Sequence, residues 1–252
     1  MLNLNKDIYL TILLMIITVS LLFLNIGKTK SIDIEKPSNI LFDKSTNTLY
    51  LSSLTLKQKI AQMIITYENS ENVDVLQNML IGGIYLGAKP TKTDFIDTIN
   101  NFQNNATIPF FVAVDLEGCE NPFENFQKFP TLREIETKEE AYQVGYEEGK
   151  LLNELGFNIN FAPVLDLTDT IWNCRNFVGT PEEIAEKGAN YIKGLQENGI
   201  IATSKHYPGK TLSIKDPHRF ITYATIDRND ILPFETAIEN NVSAIMISWV
   251  IV

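Results

Sequence analysis

The stretch Thr180-Pro181-Glu182-Glu183-Ile184-Ala185-Glu186-Lys187-Gly188-Ala189-Asn190-Tyr191-Ile192-Lys193-Gly194-Leu195-Gln196-Glu197-Asn198, followed by Gly199-Ile200-Ile201-Ala202-Thr203-Ser204-Lys205-His206, holds one unit of the fold. A threonine suited to capping, a proline at the first helical position and two acids in the first turn start a helix. Amphipathic spacing carries that helix from Pro181 to Asn198. The apolar run from Ile200 is of strand length and ends in the polar Lys205-His206 pair. Working outward, the same alternation recurs. Strands are expected at Met63–Tyr67, Gly83–Leu86, Phe110–Asp115, Ile159–Asp166, Ile200–His206 and Ala244–Val250. Helices are expected at Asp74–Met79, Lys92–Asn104, Lys138–Leu155, Pro181–Asn198 and Ile231–Asn240, after a short opening helix from Leu54 to Ile60 capped by Thr55.

Strands with few polar residues, separated by helices, predict an α/β protein with a parallel sheet buried on both faces. The architecture expected is a (β/α)8 TIM-type barrel of which about six strands are present, with the last one at the end of the sequence. In parallel α/β folds, functional groups gather at the carboxyl ends of strands. Asp115, Asp166 and Lys205-His206 all stand at such ends.

The formal net charge of −10 argues against nucleic acid, which needs clustered Lys and Arg, and is compatible with a neutral, sugar-like partner. Fourteen Phe and nine Tyr supply a core, and two cysteines are too few for a disulfide-built fold. The nineteen residues Ile8–Ile26 carry no charge and nearly span a hydrocarbon layer of ~30 Å at ~1.5 Å per residue. No small-residue cleavage site follows them, so the expectation is an uncleaved membrane anchor over residues 1–30, a polar linker over 31–51 and the barrel domain over 52–252. Lys28, Lys30 and Lys36 after the span, against Lys6 before it, do not favour an outside domain by the positive-inside rule. An anchor on an exported catalytic domain does, and the expected location is the cell membrane with the domain outside.

Both histidines lie in one stretch, Lys205-His206-Tyr207-Pro208-Gly209-Lys210-Thr211-Leu212-Ser213-Ile214-Lys215-Asp216-Pro217-His218. An Asp beside a His fixes the imidazole tautomer and raises its basicity, which suits proton transfer near neutral pH. Read from residues alone, Asp216-Pro217-His218 is equally a solvated turn, Lys205 a strand-end lysine, Asp115 and Asp166 loop caps, and Arg175 a surface arginine. A metal site from His206, Asp216 and His218 has three N/O ligands but neither helical spacing nor Cys ligands. No metal and no cofactor are expected.

Lys-His-Tyr-Pro-Gly followed by Asp-x-His resembles glycoside hydrolase family 3, in its β-N-acetylhexosaminidase branch. The likeness extends to Leu56–Met63, Gly82–Leu86, Ile108–Gly118, Leu155–Asp166 and Gly194–Ile200, collinearly over about residues 52–250. It implies hydrolysis of terminal β-linked N-acetylhexosamine with retention of configuration, in cell-wall glycan turnover. It also implies His218 as general acid/base oriented by Asp216, and Asp115, Arg175, Lys205 and His206 as sugar-binding residues.

The sequence departs from the family at the acidic loop, where Glu117-Gly118-Cys119-Glu120 stands for Glu-Gly-Gly-Arg, and at Lys210-Thr211, which stand for His-Gly. The family's nucleophilic Asp lies beyond the sixth strand, so no residue of this chain is assigned that role, and Asp166 is a poor substitute. The expected chain is therefore a truncated enzyme, or else a tethered pseudoenzyme or glycan-binding module. A β-glucosidase is disfavoured by the Asp-x-His loop. Cys119 and Cys174 follow neighbouring strands about 4.8 Å apart, within disulfide reach, and are expected to pair outside the cytoplasm.

Overall fold

The computed structural model describes residues 37, 39–212, 215–216 and 218–252. The apolar run Ile8–Ile26 and the anchor read from it lie outside those residues. Among the described residues no helix is long and apolar enough to cross a membrane. Part of the expected linker is described and is not featureless: β1 (Phe42–Asp43) and β2 (Thr48–Leu49) form an antiparallel hairpin. Asp43 holds its turn by accepting from the backbone N–H (2.8 Å) and hydroxyl (2.7 Å) of Ser45, an Asx-type contact.

The body of the fold alternates strands and helices. The strands are β3 (Ile65–Tyr67), β4 (Gly83–Tyr85), β5 (Phe111–Val114), β6 (Ile159–Asn160), β7 (Ile201–Tyr207), β8 (Thr222–Tyr223), β9 (Ala244–Ile247) and β10 (Val250–Ile251). The helices are α1 (Leu56–Ala61), α2 (Val73–Met79), α3 (Lys92–Gln103), α4 (Lys138–Leu155), α5 (Pro181–Glu197) and α6 (Arg228–Glu239). Six strands form one parallel sheet in the order β3-β4-β5-β6-β7-β9, a curled half-barrel. A separate parallel pair, β8 with β10, lies beside it. The six expected strands and their order along the chain are thus present.

Three elements depart most from the expected bounds. The strand expected over Ala244–Val250 ends at Ile247, and Val250 begins β10, which pairs with β8 and not with the main sheet. The fourth strand was expected over Ile159–Asp166, yet the regular ladder stops at Asn160, with only isolated bridges at Val164. Pro163 has no N–H to donate, and the Asn160 side chain bonds both the N–H (3.0 Å) and the C=O (2.9 Å) of Leu116. The segment still runs along β7, with Thr203 N–H donating to Ala162 O at 2.9 Å and Leu165 N–H to Lys205 O at 2.6 Å. The last helix begins at Arg228 rather than Ile231 and carries Pro233 in its interior. Asp227 and Asp230 form a reciprocal capping box that starts it earlier, an aspartate version of the Ser/Thr–Glu device.

Capping explains three other helix starts. Thr55 with Gln58, Thr91 with Asp94 and Thr180 with Glu183 each satisfy two orphan donors. Helices α4 and α5 pack closely because two glycines face the partner backbone. A Cβ on Gly145 would sit 2.3 Å from Tyr191 O, and one on Gly194 would sit 2.4 Å from Tyr142 O. In an exposed helix interior, Gly→Ala stabilises by about 1 kcal/mol. Here overpacking costs about 1–3 kcal/mol, and it wins because the obstacle is backbone. Gly145→Ala is therefore expected to lower stability in urea unfolding; a raised midpoint would contradict this packing.

The core between sheet and helices is built on Phe95, Phe102, Phe123, Phe177, Tyr191 and Phe234, all fully buried. Phe95, Phe123 and Phe157 meet at centroid distances of 4.9–5.7 Å in tilted or edge-on geometry, which suits the ring quadrupoles. This layer fixes the carboxyl ends of β5, β6 and β7, where the polar residues collect.

Candidate active site

Asp115 follows β5 directly, and its loop continues through Glu117. Lys205 and His206 lie within β7, which runs one residue further, to Tyr207, than its polar pair suggests. Lys205 Nζ lies 2.6 Å from Asp115 Oδ1 and 2.6 Å from Glu117 Oε2. The Arg175 guanidinium, in the loop after β6, reaches Glu117 Oε1 at 2.8 Å. Glu117 and Lys205 are each 3% exposed at the side chain and Arg175 is 8% exposed, so two cations and one anion are buried together. Asp115, at 31%, is the open member of the group. Burial pushes the Glu117 carboxyl up, but the Lys205 and Arg175 charges prevail and hold it below the ordinary value.

His206 is oriented from behind. Its Nδ1 lies 2.8 Å from Asp166 Oδ2, which also accepts the His206 backbone N–H at 3.1 Å. The other oxygen of the fully buried Asp166 accepts the Thr211 N–H at 2.6 Å. With Nδ1 on a carboxylate, Nε2 is left for a ligand. Residue Asp169 shapes the neighbouring loop. Its two oxygens accept from the backbone N–H groups of Ile171, Trp172, Cys174 and Arg175 at 2.9–3.1 Å. Burial raises the Asp169 carboxyl, and these donors outweigh it and bring it below normal. The loop presents Trp172 beneath Arg175, with the guanidinium 4.6 Å from the ring centroid.

His218 Nδ1 lies 2.9 Å from Asp216 Oδ1, which also accepts the His218 N–H at 3.0 Å. The small burial of Asp216 raises its carboxyl, and the His218 amide and ring, with Arg219, lower it overall. The His218 side chain is 68% exposed, and its ring sits T-shaped to Trp172 with centroids 6.4 Å apart. One cavity of about 110 Å³ is lined by Asp115, Arg175, Lys205, His206, Thr211 and His218, with Met246 and Trp249 among its apolar walls. The structure thus brings five of the six residues singled out from the sequence around one cavity, with Asp216 on His218. Arg175 Nε is buried with no protein acceptor among the described residues. Among those residues, no three His, Cys, Asp or Glu side chains are grouped so as to hold a metal ion.

Three contributors were not legible as such. Glu117 is marked in the sequence only by its i+2 spacing from Asp115. Asp166 stands at an expected strand end, but its partner His206 is forty positions away, and no local pattern marks Asp169. Cys119 and Cys174 are joined in a disulfide with Cα atoms 5.7 Å apart.

Behind the acidic loop, Glu148 of α4 is fully buried and accepts a short hydrogen bond from the Tyr191 hydroxyl. Burial pushes its carboxyl up to about 8, against the Tyr191 bond. The folded protein then holds a proton that the unfolded chain has lost. Stability from this group is full below pH about 4.5 and falls as pH rises to about 8. Glu148→Gln is expected to flatten that fall in urea midpoints measured across the window; an undiminished slope would mean that Glu148 is ionised.

A curled parallel sheet with a cation–carboxylate cluster at its strand ends, and two carboxylate-oriented histidines on β7 and the loop after it, defines an α/β half-barrel domain. The chain belongs to glycosyl hydrolase family 3: residues 55–252 match the family's N-terminal domain. It is 28% identical over 195 residues to a beta-hexosaminidase of Photobacterium profundum, covering 71% of this chain and 58% of that protein. It is 25% identical over 213 residues to beta-hexosaminidase LpqI of Mycobacterium bovis, covering 77% and 54%. The chain thus spans little more than half the length of these curated relatives. In three dimensions it resembles a family 3 beta-N-acetylglucosaminidase from Paenibacillus sp. (TM-score 0.70, 27% identity, 79% of this chain and 42% of that one). It also resembles NagZ of Neisseria gonorrhoeae in complex with N-trifluoroacetyl-D-glucosamine (TM-score 0.66, 25% identity, 75% and 63%).

Proposed function

We propose that this chain forms the N-terminal domain of a glycosidase that removes terminal β-linked N-acetylhexosamine by a retaining mechanism, in cell-wall glycan turnover. The observation that carries the reading is the convergence of Asp115, Arg175, Lys205, His206 and His218 on one cavity. A cluster in which charges nearly cancel, with one carboxylate open to the cavity, suits a neutral polyol: Asp115 accepts from sugar hydroxyls, and Lys205, His206 and Arg175 donate to them. The names of the relatives and the glucosamine derivative held by the gonococcal NagZ point to the same substrate class.

In this reading His218 is the proton donor and acceptor, with Asp216 holding Nδ1 so that Nε2 faces the glycosidic oxygen. Retention needs a carboxylate nucleophile that forms a glycosyl-enzyme, and the reading assigns that role to none of residues 1–252. The protein is proposed to work outside the cytoplasm, tethered through residues 1–30. The Cys119–Cys174 disulfide supports this, since such bonds persist in oxidising compartments.

A second reading, a glycan-binding module without turnover, is favoured by the acidic Glu120 beside the site in place of an arginine. The test is hydrolysis of 4-nitrophenyl N-acetyl-β-D-glucosaminide by the full natural chain, with the β-D-glucoside as control and N-acetylglucosamine binding measured in parallel. Selective hydrolysis supports the first reading. Binding without hydrolysis supports the second, and the absence of both removes the pocket as a sugar site.

A further inference from the structure

We propose that the Cys119–Cys174 disulfide is a redox-sensitive clamp that sets the spacing of the two loops carrying Glu117 and Arg175, and thereby the sugar affinity of the pocket. The inference rests on the sugar-binding reading above for its affinity arm only.

Cys119 stands two residues after Glu117 in the loop after β5, and Cys174 immediately precedes Arg175 in the loop after β6. The covalent bond and the Arg175–Glu117 ion pair therefore cross-link the same two loops side by side. The Ile171–Arg175 loop does not need the disulfide for its own shape, because Asp169 already binds four of its backbone N–H groups. What remains for the disulfide is the placement of this preformed loop against its neighbour. On the neighbour's side, Gly118 has φ +88° and packs so tightly on Thr131 and Leu132 that a Cβ would fall 2.7 Å from Leu132 N. That loop is anchored on a different element, so the two loops rest on separate supports and are joined by the disulfide and the Arg175–Glu117 ion pair.

Placement matters because one carboxylate serves two cations. Glu117 binds both Arg175 and Lys205, and a shift of about 1 Å between the loops takes hydrogen bonds of 2.6–2.8 Å out of range. The shift also travels through Trp172, which contacts Arg175 on its face and sits T-shaped to His218. Cys119 is exposed, so a soluble dithiol can reach the bond. Dithiothreitol supplies two electrons and two protons: the protein S–S bond breaks to two thiols while the reductant closes into its cyclic disulfide.

The experiment compares the full natural chain, oxidised and dithiothreitol-reduced, with the Cys119→Ser/Cys174→Ser double variant. N-acetylglucosamine binding is measured calorimetrically, and hydrogen exchange is followed without ligand. Reduction is expected to weaken binding about ten-fold, the loss of roughly one hydrogen bond to a charged group. The double variant should bind at the reduced level with or without dithiothreitol. Exchange at Gly118–Glu120 should quicken on reduction, while Ile171–Arg175, held by Asp169, should stay protected. Equal affinity of the oxidised and reduced forms overturns the proposal. So does loss of protection at Ile171–Arg175, because the bond would then build the loop rather than place it. If the oxidised protein binds no sugar, the functional reading fails, and hydrogen exchange alone decides the clamp: unchanged exchange at Gly118–Glu120 refutes it.

Discussion

Glu117→Ala is expected to destabilise the domain by about 3–5 kcal/mol, the cost of breaking a buried ion pair from one side. The variant removes the anion shared by Lys205 and Arg175, and both cations remain buried at 3% and 8% side-chain exposure. Lys205 keeps Asp115, but the Arg175 guanidinium keeps no carboxylate among its ion pairs. The loss is large against a typical domain stability of about 5–15 kcal/mol. Glu117→Gln keeps the acceptor oxygen and should lose less. Urea unfolding of the two variants measures this directly, and a Glu117→Ala cost below about 1 kcal/mol would mean that water enters the cluster. The pH dependence has a definite sign. The folded carboxyl lies below the ordinary 4.5, so its stabilisation is full above that pH and is lost as pH falls through the folded value. Glu148 acts in the opposite sense, its contribution falling as pH rises.

His218→Ala is expected to cut hydrolysis of an N-acetyl-β-glucosaminide by about 10²–10⁴-fold, the usual contribution of a positioned general acid/base. The effect should fall on kcat, because proton transfer belongs to the transition state rather than to ground-state binding. His218 is 68% exposed and contacts Asp216 and Trp172, so removing it should leave stability within about 0.5 kcal/mol. That contrast separates a chemical defect from a folding one. Asp216→Asn should act in the same direction and more weakly, since it alters the partner of Nδ1 while keeping the imidazole. Steady-state rates of the full natural chain decide the matter; a His218→Ala enzyme as fast as the parent takes the proton transfer away from this histidine.

The two predictions differ in what made them accessible. His218 and Asp216 are two positions apart, so their pairing was readable along the chain. The helix starts were equally local: Thr55, Thr91 and Thr180 each act on donors three residues on. The parallel strands followed from apolar runs separated by amphipathic ones, because both periodicities are properties of neighbouring residues. Even the place of Asp115 just past the end of β5 and the pairing of Cys119 with Cys174 followed once the strands were put in order.

What only the tertiary structure decided are the contacts between strand ends far apart in sequence. Lys205 meets Asp115 across ninety positions, Arg175 meets Glu117 across fifty-eight, and His206 meets Asp166 across forty. No spacing rule pairs such residues. Their charges are buried together only when the sheet curls and brings the ends of β5, β6 and β7 to one rim. The early end of β6 has the same origin: the ladder stops where the Asn160 side chain binds the Leu116 backbone in the loop after β5. Local patterns are set by the chain's own neighbours, and they specified the elements. The charge cluster is set by which elements become neighbours, and that depends on the packed sheet.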